Sequence, residues 1–198
     1  MMCPVPRVSA DHLTARRQQI LAAARVCFLR NGLHNTSMQD LIKEAGLSVG
    51  AVYRYFKSKN EIINAIAAST AGGLQQHIEA VADRRLPLVE SLDLVLDGIE
   101  EQLGPDGNLP IALQVWGEAM LDPTIHDIVR DRYGGLRASL RRLAAHAVDS
   151  GELPAGTDID AVTAVLLGMM PGYGLQRLLT GQPDKQTYMA GIRTLLGR

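Results

Sequence analysis

The stretch TSMQDLIKEAGLSVGAVYRYFKSKNE, residues 36–61, decides the fold. Thr36 and Ser37 are helix-capping residues, and Gln39 follows Thr36 at the spacing of a capping box. Met38, Leu41, Ile42 and Ala45 recur at i, i+3, i+4 and i+7, which makes one helix face apolar. Gly46 is a stop, because glycine takes the left-handed conformation that ends a helix. Leu47 is expected to plug the space between two helices. Ser48 caps a second short helix, Val49 to Tyr55, with Val52 and Phe56 facing inward. Ser58 with Glu61 repeats the capping box and opens a third helix. Two short helices across a tight glycine turn form a helix-turn-helix, whose second member enters the major groove.

The outward residues suit that role. Val49, Gly50 and Ala51 are small and let the helix approach DNA closely. Tyr53, Arg54, Tyr55, Lys57 and Lys59 bring hydroxyls and positive charge for phosphates. Together with Thr36, Ser37, Gln39 and Ser48 they make up the expected DNA surface, with Gln39 and Arg54 as its polar base readers. The competing reading is an αα-hairpin with a solvated basic face. Three caps at consistent spacing, together with Tyr53-x-Tyr55-Phe56-x-x-Lys59, favour the DNA reader.

Gly46-Leu47-Ser48, Gly50, Tyr53, Phe56 and Ser58-Lys59 resemble the DNA-binding domain of TetR-type transcriptional regulators. The resemblance begins with Arg17, Ile20, Leu21, Ala24, Phe28 and Gly32 and covers about residues 13–66. Tyr55 and Asn60 depart from it, since the family more often has histidine and glutamate there. The tyrosine hydroxyl still reaches a phosphate. The resemblance implies a homodimer, an effector pocket in the C-terminal helices, and usually repression.

Charge divides along the chain. Residues 1–59 carry nine Lys/Arg against three Asp/Glu, a net +6, and residues 60–198 carry eleven against eighteen, a net −7. A basic head on an acidic body suits phosphate binding by the head alone. Two cysteines, Cys3 and Cys27, give neither a disulfide framework nor a metal-ligand spacing. Cys27 falls on the apolar side of the first helix and Cys3 in a proline-containing start. No apolar run is long enough to span a membrane and no signal core opens the chain, so a cytoplasmic protein is expected.

Taken in order, residues 1–8 are expected as an arm, with Arg7 able to follow a minor groove. The first helix runs from about Leu13 to Asn31 and stops at Gly32, with Arg16 and Arg17 where a DNA backbone can pass. The fourth helix starts after Ser58 and runs toward Arg85, interrupted at Gly72-Gly73. Pro87, Pro110 and Asp122-Pro123 open the fifth, sixth and seventh helices. Thr157 with Asp160 caps the eighth, in which nearly every position from Ala161 to Met170 is apolar or small. Such a helix needs cover on all sides, and a two-fold dimer through the eighth and ninth helices would hide Val162, Val165, Leu166 and Met169. The fold is therefore expected to be all-α, with about nine helices. It comprises a helix-turn-helix domain with its arm (1–58) and a ligand-binding and dimerisation domain (59–198).

Catalytic signatures are missing: the chain has no GxSxG, phosphate loop, HExxH or Cys-x-x-Cys, and its five histidines are scattered. The expectation is a non-enzyme with no catalytic residue, metal or cofactor. Gln114, Trp116, Met120, Tyr133, Met169, Met170 and Tyr173 combine apolar bodies with polar handles and are the candidates for an effector pocket. Each also reads as plain core. No charged cluster stands among them, which points to an uncharged, apolar small molecule. The expected function is a dimeric repressor that binds a near-palindromic double-stranded operator and is released by that effector. An activator, or a regulator without a small effector, is the alternative, and a helical ligand-binding or enzyme-like body that uses its helix-turn-helix only for packing is the competing class.

Overall fold

The computed structural model describes residues 10–197, so the expected arm, with Cys3 and Arg7, lies outside the described residues. Among the described residues there are nine helices and no strand. They are α1 (Ala10–Asn35), α2 (Met38–Ala45), α3 (Val49–Tyr55), α4 (Lys59–Asp83), α5 (Leu88–Leu103), α6 (Leu109–Ala119), α7 (Pro123–Asp149), α8 (Ile159–Thr180) and α9 (Lys185–Leu195). The chain divides into two compact units, Met1–Ile66 and Ala67–Arg198. The first turns of α4 thus belong to the N-terminal unit.

In that unit Ile20, Ala24, Phe28, Leu41, Val52, Phe56, Ile62 and Ile63 are buried. These are inward positions of α1 to α4: three from α1, one from α2, Val52 of α3 with Phe56 just past its end, and two from α4. Cys27 is buried with them and its thiol is pushed up, first by burial and then by the Glu44 carboxylate, so it acts as a small core residue. Leu47 is only half-buried and contributes less to the turn than expected. Gly46 does end α2, at φ 64° and ψ 29°, where a side chain would be strained. Gly32 breaks α1 at φ 79° and ψ 163°, although helical residues continue to Asn35.

Two caps sit one residue later than the sequence suggests. Ser37, not Thr36, caps α2: its hydroxyl accepts from the Asp40 amide at 3.2 Å, and the Asp40 carboxylate accepts from the Ser37 amide at 2.8 Å. These Ser37 bonds hold the Asp40 carboxyl below its usual range. Thr36 is drawn back instead onto carbonyls left open by the break in α1. At α8 the cap is Asp158, whose carboxylate accepts from the Asp160 and Ala161 amides, while the Thr157 hydroxyl turns to the Pro154 carbonyl. Both amides reach the same Asp158 oxygen, Oδ1, whose negative charge strengthens each bond.

In the second unit α5, α7 and α8 surround one core that includes Ile78, Leu92, Val95, Leu96, Ile99, Leu140, Leu143, Leu166, Met170 and Tyr173. Gly98 permits a close approach from α4: a Cβ there would lie 2.8 Å from His77 Cδ2, and His77 Nε2 sits 2.7 Å from the Leu94 carbonyl. The first amide of α5, that of Leu88, donates to the Glu152 carboxylate at 3.1 and 3.2 Å, which replaces the side-chain cap that Pro87 lacks.

The expected interruption at Gly72-Gly73 is absent, for α4 runs unbroken across both residues. A Cβ at either position meets nothing within 4 Å, so the pair is not a site of close helix packing either. The double variant Gly72→Ala/Gly73→Ala should therefore stabilise the protein, by roughly 1 kcal/mol per site at most, through helix propensity alone. Chemical denaturation measures this; a loss of stability would show that the glycines satisfy a constraint other than the helix.

Candidate nucleic-acid interface and helical body

The N-terminal unit presents α3 as its exposed short helix. Ser48 caps it, its hydroxyl accepting from the Ala51 amide at 3.3 Å. Val49 is 59% exposed, Gly50 is exposed, and a Cβ at Gly50 meets nothing within 4 Å. Tyr53 and Arg54 are exposed, Ala51 and Tyr55 half-buried, and Val52 buried. The helix is therefore anchored through Val52 and Phe56 and offers its opposite side, with Val49 and Gly50 at the tip. Gln39 and Ser37 are exposed on α2. The Ser37 hydroxyl is occupied by Asp40 at 2.6 Å.

Two candidates are placed otherwise than expected. Thr36 is 1% exposed, and its hydroxyl donates to the Gly32 carbonyl at 2.7 Å, so it lies inside the head and not on its surface. Lys59 is half-buried, and its Nζ donates to the Leu33 carbonyl at 2.8 Å. Lys57, one turn after Tyr53, donates to the Tyr53 carbonyl at 2.5 Å and closes the end of α3.

The structure adds residues of α1 that sequence spacing left undefined. The Arg17 guanidinium stands 5.2 Å above the Phe56 ring centroid, a cation–π distance. Arg16 Nη1 donates to Gln19 Oε1 at 2.8 Å, and Gln19 Nε2 donates to the Ala45 carbonyl at 2.8 Å, at the end of α2. The only sequence signal for these contacts was two arginines near a helix start. Arg16 reaches α2 only through Gln19 of its own helix, and the partner of Arg17, Phe56, lies just past α3.

In the second unit the effector candidates separate into three groups. Trp116 on α6 and Tyr133 on α7 meet edge to face, ring centroids 5.9 Å apart at 73°, both half-buried, and Gln114 is half-buried on the same helix as Trp116. Met170 and Tyr173 lie in the core, with Met169 packed against it. Met120 is 85% exposed, next to Leu121 at 83%, and lines nothing enclosed. It follows the last residue of α6, Ala119, so the turn carries it out to the surface.

Tyr173 has partners that the sequence did not single out. Its hydroxyl donates to Glu100, whose Oε1 also lies 3.5 Å from Arg177 Nε, and its ring stands 4.8 Å from that of Tyr188. Burial, then Glu100, pushes the Tyr173 phenol well above its usual range, so it remains a donor. The Tyr188 hydroxyl donates to the Met169 carbonyl at 2.8 Å. Tyr173 and Arg177 stand at i and i+4 and so share a face, but Glu100 lies far away in sequence. A charged pair therefore does stand beside one of the candidates. Among the described residues no group of three or more His, Cys, Asp or Glu could hold a metal, and no helix is long and apolar enough to cross a membrane.

A basic head built on a capped helix-turn-helix, followed by a separate helical body, defines a helix-turn-helix regulator. The family described as bacterial regulatory proteins, tetR family, matches residues 20–66, and that described as BetI-type transcriptional repressor, C-terminal, matches residues 90–198. The chain belongs to the TetR family of transcriptional regulators. It is 26% identical over 169 residues to the HTH-type transcriptional regulator YfiR of Bacillus subtilis (strain 168), covering 84% of this chain and 82% of that protein. Two solved structures share the fold. Salmonella enterica GusR has a TM-score of 0.76 at 24% identity, over 96% of this chain and 97% of that one. The transcriptional regulator FadR from Bacillus subtilis, in complex with stearoyl-CoA, has a TM-score of 0.78 at 20% identity, over 90% and 96%.

Proposed function

We propose that this TetR-family regulator is a dimeric repressor that is not an enzyme and acts in the cytoplasm. It binds a near-palindromic operator and is released by a small, apolar effector. The observation that carries the DNA reading is α3: a capped helix anchored by Val52 and Phe56, with an exposed tip of Val49 and Gly50 that has no side-chain donor. Val49 and Ala51 then contact thymine methyls, while Gln39 and Arg54 supply the polar base contacts. Ser37, Ser48, Tyr53 and Tyr55 bond phosphates, and Arg16 and Arg17 extend that backbone surface along α1.

Binding both halves of a near-palindromic site at once needs two heads related by a two-fold axis, which a dimer provides. An apolar effector is supported by the Trp116–Tyr133 pair with Met169 packed on the same core, and by the stearoyl-CoA in the FadR complex, whose acyl chain is apolar. Gln114 offers it a polar handle.

The test starts from DNA selected on the parent protein out of a random library, with affinity titrated against salt. Replacing a contacted thymine by uracil should weaken binding about fourfold, the value of one methyl at ~0.8 kcal/mol. No loss at any thymine of the half-site would refute apolar reading, and no specific DNA at all would refute the function. Addition of long-chain acyl compounds to the complex then tests release.

A further inference from the structure

We infer that Lys185 is a positioning residue of the dimer face: it ties the start of α9 to α5 and so sets how α9 lies beside α8. This rests on the dimer reading above and names what holds that surface in place. Asp93, Asp97 and Glu100 stand at i, i+4 and i+7 on α5, so three carboxylates share one face of a core helix. That face receives one cation from α9 and one from α8. Lys185 Nζ donates to Asp93 Oδ2 at 3.0 Å and to Asp97 Oδ1 at 2.5 Å, and Arg177 Nε lies 3.5 Å from Glu100 Oε1. Both helices pack on α5, so one ionic seam fixes each of them to the same support.

The start of α9 has no apolar hold. Met189 and Ile192 are the buried side chains of this 11-residue helix, and Tyr188 and Leu196 pack partly buried beside them. All four lie from residue 188 onward, while Gln186 and Thr187 are exposed. Lys185 is therefore the side chain that fastens the first turn. Its side chain is 23% exposed, and a charge-assisted bond is stronger where water is partly excluded. Without its ammonium, Asp93 and Asp97 would be like charges one turn apart, which repel. The dimer face is divided between two helices, with Val165 on α8 62% exposed and Leu195 on α9 85% exposed. Leu195 stands ten residues after Lys185, about 15 Å along the helix, so a tilt at the start of α9 displaces it. A two-fold mate meets both helices at once only when the angle between them is held.

The experiment compares the parent with Lys185→Met, which keeps the apolar stem, Lys185→Arg, which keeps the charge, Asp93→Asn/Asp97→Asn, and the triple variant that combines the first and the last. Melting curves establish that each is folded, and sedimentation across a concentration series gives the dimer dissociation constant. Lys185→Met should raise that constant about tenfold, and Asp93→Asn/Asp97→Asn should do the same. The triple variant should be no weaker than either, because all three changes break one tie. Lys185→Arg should stay within about threefold of the parent. A tie that only stabilises the fold would lower the melting temperature and leave the dissociation constant unchanged, and that result overturns the inference. An ammonium that meets the partner subunit directly would give effects that add, which overturns it equally. Amide hydrogen exchange supplies a readout without assembly: residues 187–189 should lose protection in Lys185→Met while α7 keeps its own. If the parent sediments as a monomer, the dimer reading fails, and exchange alone then decides whether the tie holds α9; unchanged protection at residues 187–189 would overturn it.

Discussion

Gly50→Leu should abolish specific DNA binding, by about a hundredfold or more, while leaving the protein folded and slightly more stable. Both halves of that result come from one position. In the free protein a Cβ at Gly50 meets nothing within 4 Å, so the added side chain displaces no neighbour. Glycine inside a helix costs roughly 0.8–1 kcal/mol relative to alanine, and leucine recovers most of it. In the proposed DNA complex the same space would be the gap between the second residue of α3 and the base edges. A leucine there holds the helix out of the groove and breaks the methyl contacts of Val49 and Ala51. A hundredfold loss corresponds to roughly 2.7 kcal/mol, about what the loss of several close contacts supplies. Gly50→Ala should lie between the parent and Gly50→Leu. Operator titrations beside thermal melts make the measurement. Binding within threefold of the parent in a folded Gly50→Leu protein would mean that the N-terminal end of α3 does not face DNA.

Val165→Glu/Leu179→Glu should turn a dimer into a folded monomer at micromolar concentration. Helix α8 is apolar on nearly every side, and its own unit covers only part of it: Leu166 and Met170 are buried against the core. The expectation that Leu166 needs a partner subunit is thereby corrected, because α5 and α7 already cover it. Val162 and Met169 are half-buried. Val165 remains 62% exposed and Leu179 75%, and Leu195 on α9 is 85% exposed. A Cβ at Gly168, between Val165 and Leu179 in the helix, meets nothing within 4 Å. We propose that this stripe meets its two-fold mate. A carboxylate placed there would be taken out of water with no cation beside it and would face an apolar partner, at several kcal/mol per buried ion. The dissociation constant should rise about a hundredfold or more, and operator affinity should fall with it, because each head then binds its half-site alone. Sedimentation velocity reads the first effect and operator titration the second. A double variant that remains dimeric, or a parent that is monomeric, would place the dimer surface elsewhere or remove it.

The local part of this structure is legible in the amino-acid spacing. The order of α1 to α4, the stop at Gly46, the caps at Ser48 and Ser58 and the inward set of Val52 and Phe56 all follow from spacings of a few residues. A cap joins residues two or three apart, and an apolar face repeats every three or four. Such signals survive whatever the rest of the chain does. Choosing between neighbouring caps was beyond them, since Thr36 and Ser37 are chemically alike and only the open carbonyls of α1 draw Thr36 inward. The body's helices were equally readable, from the prolines that open them and from their apolar repeats. Tertiary structure alone decided which side chains meet. Glu152 caps α5 from another helix's end, Glu100 accepts from Tyr173, and Lys59 turns from the expected DNA surface to the Leu33 carbonyl. Met120 shows the same limit in reverse. It shares a helical repeat with Trp116, yet α6 ends at Ala119 and the chain turns, leaving Met120 in solvent. Periodicity states which face of a helix is apolar. Where that face ends, and which distant group it finds, depends on packing between helices that no local spacing encodes.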